Sequence, residues 1–336
     1  LENSITNLSI DPWTSFLNNN GTETAFPYGI SMIGAYFPLT SLGHFIGKIS
    51  SNNNFLGIGF RLTSLLFDYI TFICLSILTK HKSKKVLLFS YWCSPLIIYI
   101  TYWHGQLDVV PIMLLITSLC MVSWQRYKTA GILISFAVSS KFSMIIAIPL
   151  ILIYINHRKG FSREIFNFCL FTLIGLILLI VPYIYSYGFQ AMVISTPEIQ
   201  RLYSVYIPFG ITLKVYVVPI IYLLTLYLIW RLQRITQDLF LIATGLGFFS
   251  LLIFLPPASG WLLWALPFLV YYQIVSKKDY LGIGLIFTII ALCNNLISSS
   301  GALLIDYSNQ ENIVTYNFLI ENNHIKNIFF TAQQGI

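Results

Sequence analysis

The sequence predicts an all-α, polytopic helical membrane protein, and three observations carry that expectation. Hydrophobic residues make up 57% of the 336 residues and charged residues 9%, against about 25% charged in a soluble domain. The charges gather in short clusters between long apolar runs, as expected if each run crosses a hydrocarbon layer about 30 Å thick. The runs are continuously apolar rather than alternating, which excludes a transmembrane barrel.

Residues 1–56 read as a long external first loop, polar and Asn-rich at "LNNNGTET" and "SSNNN". Its apolar stretch 30–47 contains Pro38 and reads as an interfacial or re-entrant helix rather than a span. A core transmembrane module follows at 57–187, with spans at 57–79, 84–102, 107–124, 129–140, 142–156 and 166–187. Residues 188–212 form a second external loop. A C-terminal module at 213–298 holds spans at 213–231, 238–256, 260–276 and 280–298, and 299–336 is a further external segment. That makes about ten spans. The pieces 129–140 and 142–156 are each shorter than the roughly 20 residues a span requires. They read as two short helices meeting near "SSK", with irregular backbone facing a protein-lined cavity.

Charge fixes the sides. The loops "KHKSKK", "QRYK", "NHRKGFSR", "RLQR" and "SKKD" carry 13 of the 19 Lys and Arg, so by the positive-inside rule they are cytoplasmic. The alternate set holds six basic residues and eight acidic ones. The expected localisation is that of a multi-pass integral protein of a bacterial plasma (inner) membrane, with the active site on the non-cytoplasmic side. No nucleic-acid partner is expected. The chain starts at Leu1 without methionine and reads as a piece of a longer protein lacking an N-terminal span. Five cysteines lie inside apolar runs without CxxC spacing, as small core residues do.

The polar residues of the outer side are the candidates for chemistry. "WHGQLD" places His104, Gln106 and Asp108 at a helix start, on the same side as Asp11, Lys141, Glu198 and Arg201. Ionisable groups near membrane depth are functional hypotheses by default. Each has a plainer reading. Asp108 in a first helical turn stabilises the helix terminus by about 0.3–1 kcal/mol. Asp11 caps a helix in an Asp-Pro turn, and a basic side chain snorkels to headgroups, the favoured reading for Arg61. Trp103, Trp261 and Trp264 suit either an interfacial aromatic belt or stacking on a sugar. Asp68, seven residues after Arg61 on the same helix face, reads as a structural polar contact.

Four stretches in order, "GFRLTSLLFDYITF" with the basic loop after it, "SPLIIYITYWHGQLDVVP", "AGILISFAVSSKFSMIIAIPLIL" and "FLPPASGWLLWALPFL", resemble the core of GT-C-type glycosyltransferases, including the Alg-type enzymes of N-glycan assembly and bacterial polyprenol-dependent enzymes. The resemblance spans most of 11–276, and its strength is the order of the motifs. It implies a polyprenyl-phosphate sugar donor and a lipid-linked or other glycan acceptor, both met in membrane lipid, with inversion at the anomeric carbon. It places the general base on Asp11, with Asp108 as its catalytic companion. His104, Gln106, Lys141, Glu198, Arg201 and Trp261 then bind substrate, Lys141 and Arg201 facing the donor phosphate. No cofactor is expected. A divalent metal on His104, Asp108 and Asp11 is the lesser reading, because no ligand spacing or DxD supports it. A transporter or flippase of lipid-linked sugars, or a glycan polymerase or ligase, is the alternative. A transporter would show repeated halves, and the sequence has none.

In a cysteine-free background, single cysteines at Asn53, Gln106 and Ser259 should be labelled from outside and those at Ser83, Tyr127 and Gln233 from inside. Labelling of Gln106 from the side of Ser83 contradicts the topology.

Overall fold

The computed structural model describes residues 9–52, 54–80, 84–160, 162–196, 202–209, 213–254, 259–276 and 288–290. The chain divides into two compact units, Leu1–Gly284 and Leu285–Ile336. Only the helical residues 288–290 of the second are described. The expected span 280–298 and the segment 299–336 therefore lie almost wholly outside the described residues.

The first unit is mostly helical. Its elements are α1 (Pro12–Asn18), α2 (Ile30–Ser50), α3 (Asn54–Leu78), α4 (Lys84–Trp103), α5 (Val109–Ser123), α6 (Tyr127–Ser140), α7 (Phe142–Lys159), α8 (Arg163–Tyr183), a hairpin of β1 (Tyr206–Phe209) and β2 (Leu213–Tyr216), then α9 (Val217–Arg231), α10 (Gln237–Phe254) and α11 (Leu262–Ser276). The two strands pair antiparallel, Tyr206 opposite Tyr216.

Among the described residues four helices, α3, α4, α7 and α8, are long and apolar enough to cross a membrane. α7 corrects the expectation that 142–156 is too short, since the helix runs on through His157, Arg158 and Lys159 to eighteen residues, its 3-10 start at Phe142–Ile146 included. Four further apolar helices fall short, among them α5 and α11. The reason is local. α5 begins only after Gly105, held at φ 70. α6 stops at Lys141, whose backbone is extended. A 3-10 turn at Ser259–Trp261 precedes α11. Irregular backbone replaces the missing turns, as is tolerated where it is buried in protein.

Small residues set the helix spacing, as in membrane bundles generally. α2 and α3 form an antiparallel hairpin in which a Cβ on Gly43 would strike the Phe55 carbonyl and one on Gly59 the Leu39 carbonyl. The Tyr36 hydroxyl meets Ser64 Oγ at 2.8 Å and its ring stacks on Phe60 at 4.8 Å. The stretch 30–47 thus belongs to a 21-residue helix packed lengthwise on α3. Gly131 on α6 lies against Phe168 and Thr172, and Ser135 against Gly175, so α6 and α8 run in parallel.

Interhelical bonds sort the helix ends. Cys120 Sγ donates to the Cys74 carbonyl, and Ser118 Oγ to that of Ala130 at 2.9 Å. His157 Nε2 meets the Trp230 carbonyl at 3.1 Å, and the Tyr271 hydroxyl donates to Asp238 at 2.6 Å. Tyr154 stacks on Phe240 at 4.2 Å. The helix ends leading to the basic loops therefore share one end of the bundle. Asp108, Lys141 and Trp264 share the other. Cys74, Cys93, Cys120 and Cys169 are free thiols, and two of them, Cys93 and Cys169, are exposed rather than in the core.

Asp68 on α3 is fully buried, and its two carboxylate oxygens accept from Tyr91 at 2.9 Å and Tyr102 at 2.7 Å. These bonds tie α3 to both halves of α4, which is broken between Cys93 and Ser94. The partners of Asp68 thus come from another helix and not from its own helix face, where Arg61 lies.

Gly59→Ala should lower stability by about 1–3 kcal/mol through overpacking. Gly57→Ala, with nothing within 4 Å of its new Cβ, should be neutral or gain about 0.5–1 kcal/mol from helix propensity. Thermal unfolding of both variants in one detergent checks this; equal effects contradict the packing at Gly59.

Candidate functional site

The centre of the site is an ion pair. Lys141 Nζ lies 3.0 Å from Asp108 Oδ1, with side chains 6% and 1% exposed. Moving either ion alone into such surroundings costs several kcal/mol, so neither position makes sense without the other. The carboxylate takes two more donors, Tyr28 hydroxyl to Oδ2 at 3.1 Å and Trp264 indole N–H to Oδ1 at 3.0 Å. The same two rings face the ammonium, at 4.7 Å from the Tyr28 centroid and 5.2 Å from that of Trp264. A desolvated cation over an aromatic face is stabilised by about 2 kcal/mol.

Local backbone explains why these groups meet. Asp108 occupies the N-cap position of α5, yet its side chain makes no capping bond. The cap reading of Asp108 is replaced by the ion pair. Lys141 sits in the one extended residue between α6 and α7, which frees its side chain from a helix face. The preceding backbone is pinned, since Gly29 N–H donates to the Ser140 carbonyl at 3.2 Å. A Cβ on Gly29 would strike the Ser139 carbonyl, so Tyr28 is delivered by a close approach that only glycine permits. Gly260 is the other such position. A Cβ there would collide with Asp108 Oδ2 and stand 3.0 Å from Gln106 Oε1.

The other candidate residues are distributed around this pair. Gln106 is half-buried beside Gly260, and its amide meets His104 Nδ1 at 3.4 Å. His104 is exposed, its ring edge-on to Tyr99 at 6.3 Å. Trp261 is buried and stacks on Trp264 at 5.0 Å with 20° between the planes. Trp103 is 76% exposed and takes no part. Glu198 and Arg201 lie outside the described residues.

Asp11 is the true helix cap. Its Oδ1 accepts from Thr14 N–H at 3.1 Å at the start of α1, and it is half-buried. Trp13, two residues on, is buried between Tyr183 at 5.1 Å and Phe189 at 4.9 Å. Its indole N–H donates to the Tyr28 carbonyl at 3.0 Å. Asp11 is thus coupled to the ion pair through Trp13 and Tyr28 and not by contact with Asp108. Among the described residues, no three His, Cys, Asp or Glu side chains come together as a metal site, and His104, Asp108 and Asp11 are not so grouped.

Beside the pair lies a cavity of about 240 Å³. Its wall combines Lys141, Ser143, Thr196, Trp261 and Trp264 with aliphatic residues from α7 and α10 such as Ile146 and Leu251. Tyr28, Ser143, Thr196 and Gly260 are site residues that sequence reasoning did not single out. "FPYG" and "PPASG" offered a turn signature but nothing to indicate what the turns pack on. No protein-family model, curated protein or solved structure matches this chain.

Lys141→Met alone should destabilise the protein by about 3–5 kcal/mol, because it strands a buried carboxylate. Adding Asp108→Asn should restore part of that loss. Additive effects in thermal or denaturant unfolding contradict a direct pair.

Proposed function

We propose that this chain is a membrane glycosyltransferase of GT-C type. It moves a sugar from a polyprenyl-phosphate donor to a lipid-linked or other glycan acceptor on the non-cytoplasmic side, with inversion. One observation carries the reading. Of the four stretches on which the resemblance rests, the last three are far apart in sequence, yet Asp108, Lys141 and Trp264, one from each, meet on one carboxylate. The apolar helices and the cavity beside that carboxylate suit a substrate with a hydrocarbon tail.

Inverting transfer needs a base that removes the acceptor proton as the hydroxyl attacks the anomeric carbon. Asp108 is poorly placed to serve, because three donors already occupy its oxygens. Asp11 has one oxygen in its cap bond and takes the base role. Asp108 then acts as a positioning group, holding Lys141, Tyr28 and Trp264 in one arrangement. Gln106 and His104 at the rim hydrogen-bond sugar hydroxyls. Leaving-group charge is met by cations or oriented N–H groups, a role assigned to Arg201 of the second external loop.

Turnover of a polyprenyl-phosphate hexose by purified protein tests the reading. Asp11→Asn should reduce it by about 10²–10⁴-fold, the usual consequence of removing a general base. Full activity of Asp11→Asn moves the base elsewhere, and inactivation by a chelator restores the metal reading. Absence of transfer with any such donor, by a folded protein, removes the proposed function.

A further inference from the structure

The cavity beside the ion pair has a chemical character of its own. Among its described wall residues Lys141 alone is charged, and that charge is answered by Asp108 at 3.0 Å. The pair is neutral as a unit, and its ammonium is already enclosed by two aromatic rings. A phosphate entering here would add a buried negative charge with no cation left among the described wall residues to balance it, a costly arrangement in apolar surroundings. Two wall groups remain unsatisfied. Trp261, 3% exposed, has an indole N–H without a partner, and Ser143 Oγ is buried without one. Buried polar groups are hydrogen-bonded as a rule, and an exception calls for a ligand or a water. Both are neutral donors, suited to neutral oxygen acceptors.

Apart from Thr196 the rest of the described wall is apolar, with Ile145, Ile146, Val193 and Leu251 among its residues. At about 240 Å³ the cavity is below the roughly 300–1,000 Å³ of pockets for larger ligands. It has room for one ring with a short aliphatic extension. A pyranose has this mixed character, with hydroxyl oxygens at its edge and C–H groups on its faces.

We infer that this cavity binds the uncharged sugar ring of a glycoside and excludes the phosphate of a lipid donor. Lys141 accordingly keeps the cavity neutral through Asp108 and does not ligate phosphate. The inference rests on the sugar-transfer reading for the kind of ring, while the neutrality follows from the ion pair itself.

Binding to the full chain in phosphatidylcholine nanodiscs distinguishes the outcomes, with hexyl glucoside, hexyl mannoside, hexyl phosphate and hexanol as probes and empty nanodiscs as the reference. At least one glycoside should bind saturably. Neither hexyl phosphate nor hexanol should displace it at equal concentration. Trp261→Phe and Ser143→Ala should each weaken it roughly threefold to tenfold, the loss of one neutral hydrogen bond. Trp261→Phe keeps the ring against Trp264, and Ser143→Ala is a small truncation, so both should fold. Preferential binding of hexyl phosphate overturns the inference. So does equal displacement by hexanol, absence of saturable glycoside binding, or indifference to both variants. Glycoside binding without sugar transfer removes the enzymatic reading alone, whereas transfer without glycoside binding removes this inference alone.

Discussion

A lysine and an aspartate held at 3.0 Å in almost complete burial constrain nearly everything else at this end of the molecule. Each ion by itself costs several kcal/mol to bury, and their attraction offsets this only when the remaining valences are filled. Tyr28 and Trp264 fill them, each serving the carboxylate with a donor and the ammonium with a ring face. Four chain segments must therefore converge on one point. The turn before α2, the start of α5, the end of α6 and the start of α11 all stop there. Gly29 and Gly260 are needed because the convergence leaves no space for a Cβ.

This convergence also explains the short helices. A helix end in apolar surroundings leaves backbone groups unsatisfied, so ending α5, α6 and α11 below full membrane length has a cost. It is tolerated where side chains and neighbouring backbone supply partners. In return the irregular residues point charged and aromatic side chains at one another, which a continuous helix face does not allow. The function proposed for the chain depends on this: a fixed polar centre, a small neutral cavity beside it, and Asp11 linked to both through Trp13 and Tyr28.

Much of this was legible in the sequence, for identifiable reasons. Basic clusters between apolar runs marked helix ends that the bundle does gather at one end. Asp108 and Lys141 stood out because charges are rare in such runs. Their pairing was not legible, since 33 positions and a helical hairpin separate them and neither sequence motif refers to the other. Capping was assigned to both Asp108 and Asp11 as the plain reading, and only Asp11 caps. Asp68 was seen to need a partner, but Tyr91 and Tyr102 reach it from another helix. Four of the expected spans coincide with helices of crossing length among the described residues, and apolarity alone does not reveal where an ion pair interrupts a helix. Tyr28, Ser143 and Gly260 carried no periodic or compositional signal; their importance comes from what they touch.

The most direct measurement is the distance between the two charged groups in a lipid bilayer. Solid-state NMR dipolar recoupling between ¹⁵N-labelled lysine side chains and ¹³C-labelled aspartate carboxyls can read it in proteoliposomes, with assignment by Lys141→Arg and Asp108→Asn. The account requires strong recoupling from one lysine–aspartate pair, lost in both variants, as fits an N–O separation of 3.0 Å. Recoupling that is absent, or that survives Asp108→Asn, contradicts the ion pair on which the site is built.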